Sequence, residues 1–480
     1  MHVTTLKLGS TADAVPNSSC NSCHGANSPL SADTVHWMQE LHNAPNYEAK
    51  IQSLSLKKGA TATATGLLTV KYSVVNPKTG AAYDLREGCS AAATTDQAGT
   101  AIVGCNTNYR WDVTGGVPQN KFGTFTLYLA TETLAGVTLD DNTNNATYAA
   151  YRGVADASGN YTADLTIPAG AKGNARVMLL GSVAERRVDA VSRNPIGAVP
   201  PTANSDLAYV PVKNAIRDVN IATGGASARR AIVSNDNCNS CHGILGLPMG
   251  PQAVGFHKGV RNNADGCAIC HNANQAGGYT LMADGSVGPV AGDSQLAAGN
   301  TSAFLHESYQ AKRFVHGIHY GAKRNYPFTH CMTVGGEYNK DGTSKTGGPR
   351  MGPDTCVGQS STETLNFTAE VAYPSALKNC SNCHVKDSWK QDKSVLGSVV
   401  FKPTGKTNML DWMVISPKAA TCTTCHDSKA VQTHVKTIGG GAFGDATQND
   451  LLYGGKVFEA CEGCHAPGSA LGVDKVHAFK

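Results

Sequence analysis

The sequence predicts an α+β, partly irregular multidomain protein in which an antiparallel β-domain lies between two segments of short helices and loops. Three observations support this fold class. Six Cys-x-x-Cys-His motifs are spread unevenly along 480 residues, and a long stretch of alternating apolar and polar residues separates the first motif from the other five. Glycine and proline are abundant, with 52 and 20 residues, as in loop-rich proteins.

The middle segment, residues 55–205, has the two-residue alternation of antiparallel strands. Leu68, Val70, Tyr72 and Val74 alternate with polar residues before the turn sequence Asn-Pro-Lys-Thr-Gly, and the pattern recurs further along the segment. Several short strands of this kind predict a β-sandwich or split barrel. The segment has no histidine and no clustered carboxylates, so we expect a scaffold that spaces, docks or shields the rest of the protein.

The motifs occupy the flanking segments, residues 1–54 and 206–480. Their cysteines are Cys20, Cys23, Cys238, Cys241, Cys267, Cys270, Cys380, Cys383, Cys422, Cys425, Cys461 and Cys464, and their histidines are His24, His242, His271, His384, His426 and His465. Two thiols at this spacing reach the two vinyl groups of a porphyrin, and the next imidazole ligates its iron. A zinc knuckle or redox dithiol would not need a histidine after every pair. The pattern therefore predicts six covalent haem c groups, whose apolar mass forms the cores of loop-rich cytochrome modules.

Ten of the sixteen histidines lie outside the motifs, more than the six distal ligands that six haems require. This surplus favours bis-histidine ligation over methionine. His316 and His319 lie three positions apart in a predicted helix, so they share one face and can serve two neighbouring haems. His257, His434 and His477 each lie close in sequence to a motif. We predict these five as distal ligands.

The N-terminal haem requires its own distal ligand, for which His36 and His42 are the candidates. They lie six positions apart on a predicted helix, about 240° around its axis, so they do not easily serve one iron from one face. One is predicted to ligate this haem. The other, or His2, is either a surface residue or a ligand to a haem in a neighbouring copy. Two further histidines, His306 and His330, are assigned to surface or propionate contacts.

Four cysteines remain outside the motifs. They fall into two local pairs, Cys89 with Cys105 and Cys331 with Cys356. In the chain-entropy model, a disulfide that closes a loop of this length adds about 3 kcal/mol to the free energy of unfolding. Reduced thiols are the alternative. Because thioether attachment is completed outside the cytoplasm, disulfides are favoured, and we expect an exported protein that is extracellular or on the outer cell surface.

No apolar run approaches the ~18 residues of a membrane helix, and the first residues lack the apolar core of a signal peptide. We therefore expect an export signal to have been removed before the numbering begins. The formal charge is +4, and six haems with two propionates and one ferric charge each would lower it to about −2. A nucleic-acid partner is therefore not expected.

The order of motifs over residues 232–480 resembles one pentahaem domain of the OmcA/MtrC family of surface decahaem cytochromes. The matching elements are CNSCHGILG, FHKGVR, GCAICHN, FVHGIHYGAKR, NCSNCH, ATCTTCHD, a lone His434, CEGCH and VHAF. The resemblance implies a split β-barrel followed by closely packed bis-histidine haems that pass electrons to redox proteins or to extracellular acceptors such as metal oxides. By position it also implies the same five distal ligands. The chain departs from the family in its sixth haem, ahead of the β-domain, and in having only one pentahaem half.

Two classes of function follow from these features. The preferred one is an electron carrier with no catalytic residue, and the outlying haem adds the hypothesis that copies polymerise into a conductive filament. The alternative is a multihaem reductase of a small nitrogen or sulfur oxyanion, which requires one open iron position. No Cys-x-x-Cys-Lys variant of the motif occurs. A haem-storage or structural protein is a third, weaker reading.

Overall fold

The computed structural model shows two layers of β-sheet followed by a haem-motif region of short helices. It describes residues 5–8, 13–16, 37–59, 64–83, 112–114, 117–119, 125–132, 144–149, 160–196, 206–227, 229–247, 256–275, 280–281, 287–288, 307–325, 329–332, 363–366, 373, 377–401 and 406–477. In these ranges the structure is of the predicted α+β class and contains no closed barrel. No helix in them is long and apolar enough to cross a membrane.

The first half of the structure consists mainly of strands, and every ladder between these strands is antiparallel. They are β1 (Thr5–Leu8), β2 (Asp13–Pro16), β3 (Glu48–Lys58), β4 (Ala64–Val75), β5 (Asp112–Thr114), β6 (Val117–Gln119), β7 (Thr126–Glu132), β8 (Asn144–Ala149), β9 (Tyr161–Pro168), β10 (Lys172–Leu180), β11 (Ser182–Arg186), β12 (Leu207–Pro211), β13 (Ala215–Asn220) and β14 (Ala226–Ser227). One sheet has the order β3-β4-β9 and another β14-β13-β10-β7-β8, while β1-β2, β5-β6 and β11-β12 form separate pairs.

The two larger sheets share one apolar core, as predicted for a sandwich. In β4 the alternating residues Leu68, Val70 and Tyr72 are buried, and Leu127 in β7 and Leu179 in β10 contribute from the other sheet. The alternation arises because successive side chains of a strand point to opposite faces. Strand β3 begins before residue 55, and β12 to β14 follow residue 205. The division into three segments stays a prediction.

A short helix, α1 (Gln39–Asn43), joins the end of the N-terminal segment to the sheets. The side chain of Gln39 is buried and donates hydrogen bonds to Glu185 Oε2 at 3.0 Å and to the Arg186 carbonyl at 2.8 Å. The Tyr47 hydroxyl donates to the same carboxylate at 2.6 Å. Glu185 therefore fixes α1 against the β-domain.

The haem-motif half consists of short helices with little sheet. The helices are α2 (Asn235–His242), α3 (Ala264–Cys270), α4 (Ala311–His319), α5 (Pro417–Cys422), α6 (Lys429–Thr437), α7 (Gln448–Leu452), α8 (Glu462–His465) and α9 (Val473–Val476). Helical turns of 3-10 type cover Ala44–Asn46, Phe256–Gly259, Gly321–Lys323, Cys380–Asn382 and Met409–Asp411. The strands are β15 (Thr280–Leu281), β16 (Val287–Gly288), β17 (Thr329–Met332), β18 (Glu363–Asn366), β19 (Ser398–Phe401), β20 (Met413–Ile415) and β21 (Phe443–Thr447).

Buried polar contacts join the two halves of the molecule. Asn214 and Asn262 each accept a hydrogen bond from the backbone N–H of the other, at 2.9 and 3.0 Å. Arg176 of β10 is paired with Asp218 at 2.7 Å and also donates to the Asp265 carbonyl of α3 at 3.1 Å. Because these groups are buried and satisfied, they hold the first helices of the haem-motif half against the sheet.

Candidate haem-binding sites

One helical turn organises each Cys-x-x-Cys-His motif that the structure describes. We name these five motifs by their first cysteines, Cys238, Cys267, Cys380, Cys422 and Cys461. In the last four motifs the backbone N–H of the histidine donates to the backbone carbonyl of the first cysteine, at 2.8 to 3.0 Å. In the first, helix α2 spans the motif. Because residues three and four apart lie on the same side of a helical turn, both thiols and the imidazole point one way.

Each of these motif histidines faces a second imidazole from elsewhere in the chain. The ring-centroid separations are 6.0 Å for His242 and His319, 6.4 Å for His257 and His271, 5.9 Å for His316 and His384, 5.9 Å for His426 and His477, and 6.4 Å for His434 and His465. The partners are the same five histidines that the sequence suggested as distal ligands.

The separations fit two imidazoles on opposite sides of one metal ion. With nitrogen atoms about 2 Å from the metal, trans ligands place their ring centroids roughly 6.3 Å apart, whereas tetrahedral ligands place them roughly 5 Å apart. All five observed separations lie near the trans value. Haem iron has its axial ligands in this arrangement, so the imidazole pairs fit haem better than they fit zinc.

Hydrogen bonds at Nδ1 orient several of these rings. Backbone carbonyls lie 2.9 Å from Nδ1 of His271, 2.8 Å from that of His319, 3.0 Å from that of His465 and 3.1 Å from that of His477. A carbonyl only accepts, so Nδ1 carries the proton and Nε2 keeps a free lone pair. This arrangement at Nδ1 is typical of histidines that bind metal through Nε2.

His384 follows the same rule through a hydroxyl group. Its Nδ1 lies 3.3 Å from Ser388 Oγ, and that hydroxyl donates its own proton to the Ile232 carbonyl at 2.6 Å. Ser388 can therefore only accept from His384, and Nε2 of His384 is left free. Desolvation also lowers the pKa of His271 and His316 to about 4, so both rings are neutral at physiological pH, as ligation requires.

The motif thiols do not have the environment of a zinc site. Burial raises the pKa of Cys267 and Cys425 to about 11, which disfavours the thiolate that binds zinc. In the part of the chain that the structure describes, no group of three or more His, Cys, Asp or Glu residues is placed to hold a metal ion. Thioether bonds to a porphyrin require no such cluster.

The predicted distal histidines connect motifs that are separate in sequence. Helix α4 places His319 opposite His242 of the Cys238 motif and His316 opposite His384 of the Cys380 motif. In the C-terminal region two motifs exchange their facing histidines. His434 follows the Cys422 motif but faces the Cys461 motif, while His477 follows the Cys461 motif but faces the Cys422 motif.

The motif cysteines also lie close to one another. The Cys383 thiol lies close enough to that of Cys238 to raise the pKa of Cys238, and Cys267 adds to the effect. Similarly, the pKa of Cys425 is raised first by burial and in part by Cys380. Cys461 lies close enough to Cys422 to act on its pKa as well. These electrostatic influences between neighbouring motifs place the motifs in the order Cys267, Cys238, Cys380, Cys422 and Cys461.

The β-domain forms one wall of the Cys267 site. Ile269 and the partly buried Cys270 pack against Tyr128, Met178 and Leu180 of the five-stranded sheet, and Tyr128 and Met178 come from adjacent strands. The close approach also explains the glycine directly before this motif, because a Cβ at Gly266 would lie 2.3 Å from Met178 Sδ. The sheet is therefore in direct contact with this attachment site.

A buried ionic network supports the Cys422 motif. Glu307 accepts from Arg313 Nη2 at 2.8 Å and from Arg324 Nη2 at 3.1 Å, and Arg324 also pairs with Asp427 at 3.6 Å. Arg313 and Arg324 donate to the carbonyls of Ala420 and Thr424, at 2.9 and 3.0 Å. The network thus ties the segment that carries α4 to the turn around Cys422.

Several predicted site residues lie outside the described ranges. They are Cys20, Cys23, His24 and His36 of the N-terminal site, His2 and His306, and the cysteines Cys89, Cys105 and Cys356. His330 and Cys331 are described only as part of strand β17. The disulfide predictions therefore stay untested. His42 lies exposed in α1, with its ring centroid 6.0 Å from that of Trp37.

Two groups of residues at the sites were not found from the sequence. The Glu307 network reaches Asp427 through tertiary structure, whereas the contact of Arg261 with His257 joins two positions that are close in sequence. The sequence signal for Arg261 was its place in the FHKGVR element, where it lies four residues after His257.

Helical turns that each present two thiols and an imidazole, opposite a second imidazole, are features of multihaem c-type cytochromes. A family model described as outer membrane cytochrome MtrC/MtrF-like, domains II/IV, matches residues 230–478. Since the match covers more than half of the sequence, the chain belongs to this family, and the predicted resemblance is confirmed.

Comparison with solved structures finds a partial similarity. The outer membrane decaheme cytochrome OmcA has 16% sequence identity and a TM-score of 0.45, over 97% of this chain and 55% of OmcA. The chain thus spans about half the length of that protein. Comparison with curated proteins finds no match.

Proposed function

We propose that this protein is a hexahaem c-type cytochrome that carries electrons at or beyond the outer cell surface, with bis-histidine ligation at every haem. One observation carries the proposal: five motif imidazoles each face a second imidazole at 5.9 to 6.4 Å. The family name supports a cytochrome of the outer membrane. The sixth haem is assigned to Cys20, Cys23 and His24.

Haem c supplies an iron that gains and loses single electrons without breaking a substrate bond. The residues of this chain attach, orient and enclose it. Each motif supplies two cysteines for attachment and one axial imidazole, and a distant segment supplies the second. Carbonyl acceptors at Nδ1 keep Nε2 available for the metal, as at His271 and His319.

The proximity of cysteines from neighbouring motifs supports a single path through the five sites. The path would run from the Cys267 site through the Cys238, Cys380 and Cys422 sites to the Cys461 site. The proximity of the Cys238 and Cys383 thiols brings two attachment points together. The two axial histidines on α4 hold the same two sites in a fixed relation. Short separations of this kind favour electron transfer between neighbouring sites.

The alternative of an oxyanion reductase requires an iron with one free axial position. Each motif in the described ranges has an imidazole opposite its own histidine, which favours the electron carrier over the reductase.

The N-terminal haem, with His36 or His42 as distal ligand, completes the proposed set of six haems. A ligand from a second copy would join this haem to a homopolymer. Redox proteins or metal oxides are the proposed electron partners. Because the protein is proposed to be exported, disulfides are also proposed between Cys89 and Cys105 and between Cys331 and Cys356.

Haem stoichiometry and carbon monoxide binding together test the proposal. Intact-chain mass spectrometry is expected to show six covalent haems, and the dithionite-reduced protein is expected to bind no carbon monoxide and to reduce a ferric acceptor rapidly. The matched control is His319→Ala, which should bind one carbon monoxide per chain. Fewer than six haems would contradict the haem count, while carbon monoxide binding with nitrite or sulfite turnover by the wild-type protein would favour the reductase.

A further inference from the structure

Glu459 joins the two C-terminal motifs through hydrogen bonds. It lies two residues before Cys461, and its carboxylate accepts from the beginning of α5, the helix that ends at Cys422. The donors are the Ser416 hydroxyl at 2.6 Å and the backbone N–H groups of Lys418 at 2.9 Å and Ala419 at 2.7 Å. One side chain therefore connects the segment that carries one attachment site to the helix that carries the next.

Backbone contacts fix the segment that contains Glu459. The next residue, Ala460, donates to the Gly439 carbonyl at 2.9 Å, in the turn that follows α6. Gly440 has a φ of +67°, and a Cβ there would clash with the carbonyl oxygen of Phe458, so this close approach requires glycine. The cysteine and histidine side chains of the motifs take no part in these contacts. Haem attachment therefore does not require the carboxylate to move.

The charge of Glu459 is not balanced by a cation. Its three donors are uncharged groups, and no lysine or arginine of the described ranges lies within ion-pair distance of its carboxylate. The Nζ atom of Lys418 pairs with Glu462 instead, at 3.4 Å. By contrast Asp392, which also contacts α5, is paired with Lys312 at 3.0 Å. Glu459 therefore adds one uncompensated negative charge where the two C-terminal motifs meet.

Given the proposed function, on which this inference rests, we propose that Glu459 lowers the reduction potentials of the haems attached at the Cys422 and Cys461 motifs. Reduction adds one negative charge to an iron, and a fixed carboxylate disfavours it by Coulomb repulsion. Glu459 is half-buried, so water and salt screen this repulsion less than they would at the surface. The hydrogen bonds from α5 hold the carboxylate in place without removing its charge.

The two affected haems lie at one end of the proposed path. Electrons move spontaneously from a site of lower potential to one of higher potential. The charge of Glu459 therefore favours electron transfer from the Cys461 and Cys422 sites toward the Cys380 site. Glu459 is thus a positioning residue for α5 that also biases the direction of electron transfer.

Redox titration of the full-length holoprotein tests the proposal, with single haems followed by electron paramagnetic resonance and by paramagnetically shifted haem-methyl resonances. Glu459→Gln removes the charge and keeps the size of the side chain. It is expected to shift the reduction equilibrium of two haems about tenfold toward the reduced form, about 59 mV for a one-electron couple. Glu459→Asp keeps the charge and should restore most of the wild-type potentials. With Cys422→Ala and Cys425→Ala added to Glu459→Gln, only one shifted haem should remain.

The matched control is Asp445→Asn, which removes an equal charge from β21. That carboxylate is exposed and paired with Lys436 at 2.8 Å, so its loss should leave the potentials nearly unchanged. Ser416→Ala tests the same charge without altering Glu459. It deletes one donor dipole that partly offsets the charge, so the same two haems should shift slightly toward the oxidised form.

Three results would overturn the proposal. They are equal shifts of every haem in Glu459→Gln and Asp445→Asn, potentials of Glu459→Asp that match those of Glu459→Gln, and a shift of Ser416→Ala toward the reduced form. Failure of the proposed function has a different signature, because the wild-type protein itself would then show missing haems or a high-spin iron.

Discussion

His434 faces His465 at 6.4 Å although another motif, at Cys422, precedes it by only twelve residues. The reciprocal relation holds for His477, which faces His426 at 5.9 Å. Each of the two C-terminal motifs therefore depends on a segment that follows the other one. Replacing either His434 or His477 should therefore leave a free axial position at the motif that lies farther from that histidine in sequence.

The exchange can be tested with His434→Ala. The variant is expected to bind one carbon monoxide per chain, because one iron loses its sixth ligand. Adding Cys461→Ala and Cys464→Ala should abolish this binding, whereas adding Cys422→Ala and Cys425→Ala should leave it. The reverse dependence is expected for His477→Ala. Carbon monoxide binding that follows the nearer motif in either variant would contradict the exchange.

Helix α4, which carries two of the predicted axial histidines, offers a test of ligand type. His316→Met should give one haem with histidine–methionine ligation and a raised potential, since methionine ligation raises haem potentials. His319→Met should raise the potential of a different haem. Potentiometric titration followed by electron paramagnetic resonance distinguishes the two variants. Changes in the same haem for both would show that the helix serves only one site.

The buried network around Glu307 should contribute to stability. Glu307→Gln leaves Arg313 and Arg324 without their shared carboxylate, and breaking a buried pair of this kind costs about 3–5 kcal/mol in the free energy of unfolding. The matched control is Lys57→Ala, which breaks an exposed pair with Asp164 and should cost no more than about 1 kcal/mol. Chemical denaturation measures both, and equal losses would contradict the role of the network.

The same carboxylate predicts an acid dependence. Desolvation alone would raise the pKa of Glu307, but Arg313 and Arg324 outweigh it and hold this pKa below the ordinary value of 4.5. The stabilising effect is therefore complete above pH 4.5 and is lost as the pH falls toward the lowered pKa. The unfolding free energy of Glu307→Gln should lack this component. A wild-type protein that gains stability on acidification through this range would contradict the assignment.

The core shared by the two sheets should be stabilising without binding haem. Leu179→Ala truncates a fully buried side chain, and such a truncation costs about 2–5 kcal/mol. Leu67→Ala, at a position 37% exposed in the adjoining sheet, should cost about 0.5 kcal/mol or less. Both variants should keep the full haem content by mass spectrometry. Loss of haem in Leu179→Ala would assign the sandwich a direct role in attachment.

Local features were predictable from the sequence because they depend on nearest neighbours. The alternation of apolar and polar residues from Leu68 to Val74 predicted the strand that became β4. The three-residue spacing of His316 and His319 predicted that both side chains lie on one face of a helix. Which distal histidine faces which motif could not be predicted, because the exchange of His434 and His477 depends on tertiary folding. The Glu307 network could not be predicted either, because it includes Asp427, which lies more than a hundred residues after Glu307 and Arg324.

The central claim is that each iron lies between two imidazoles. Near-infrared magnetic circular dichroism of the oxidised full-length protein tests it most directly, because the charge-transfer band of low-spin haem depends on its axial ligands. The account predicts the full haem complement in the bis-histidine band. A high-spin band, or a fraction of the complement in the histidine–methionine band, would contradict it.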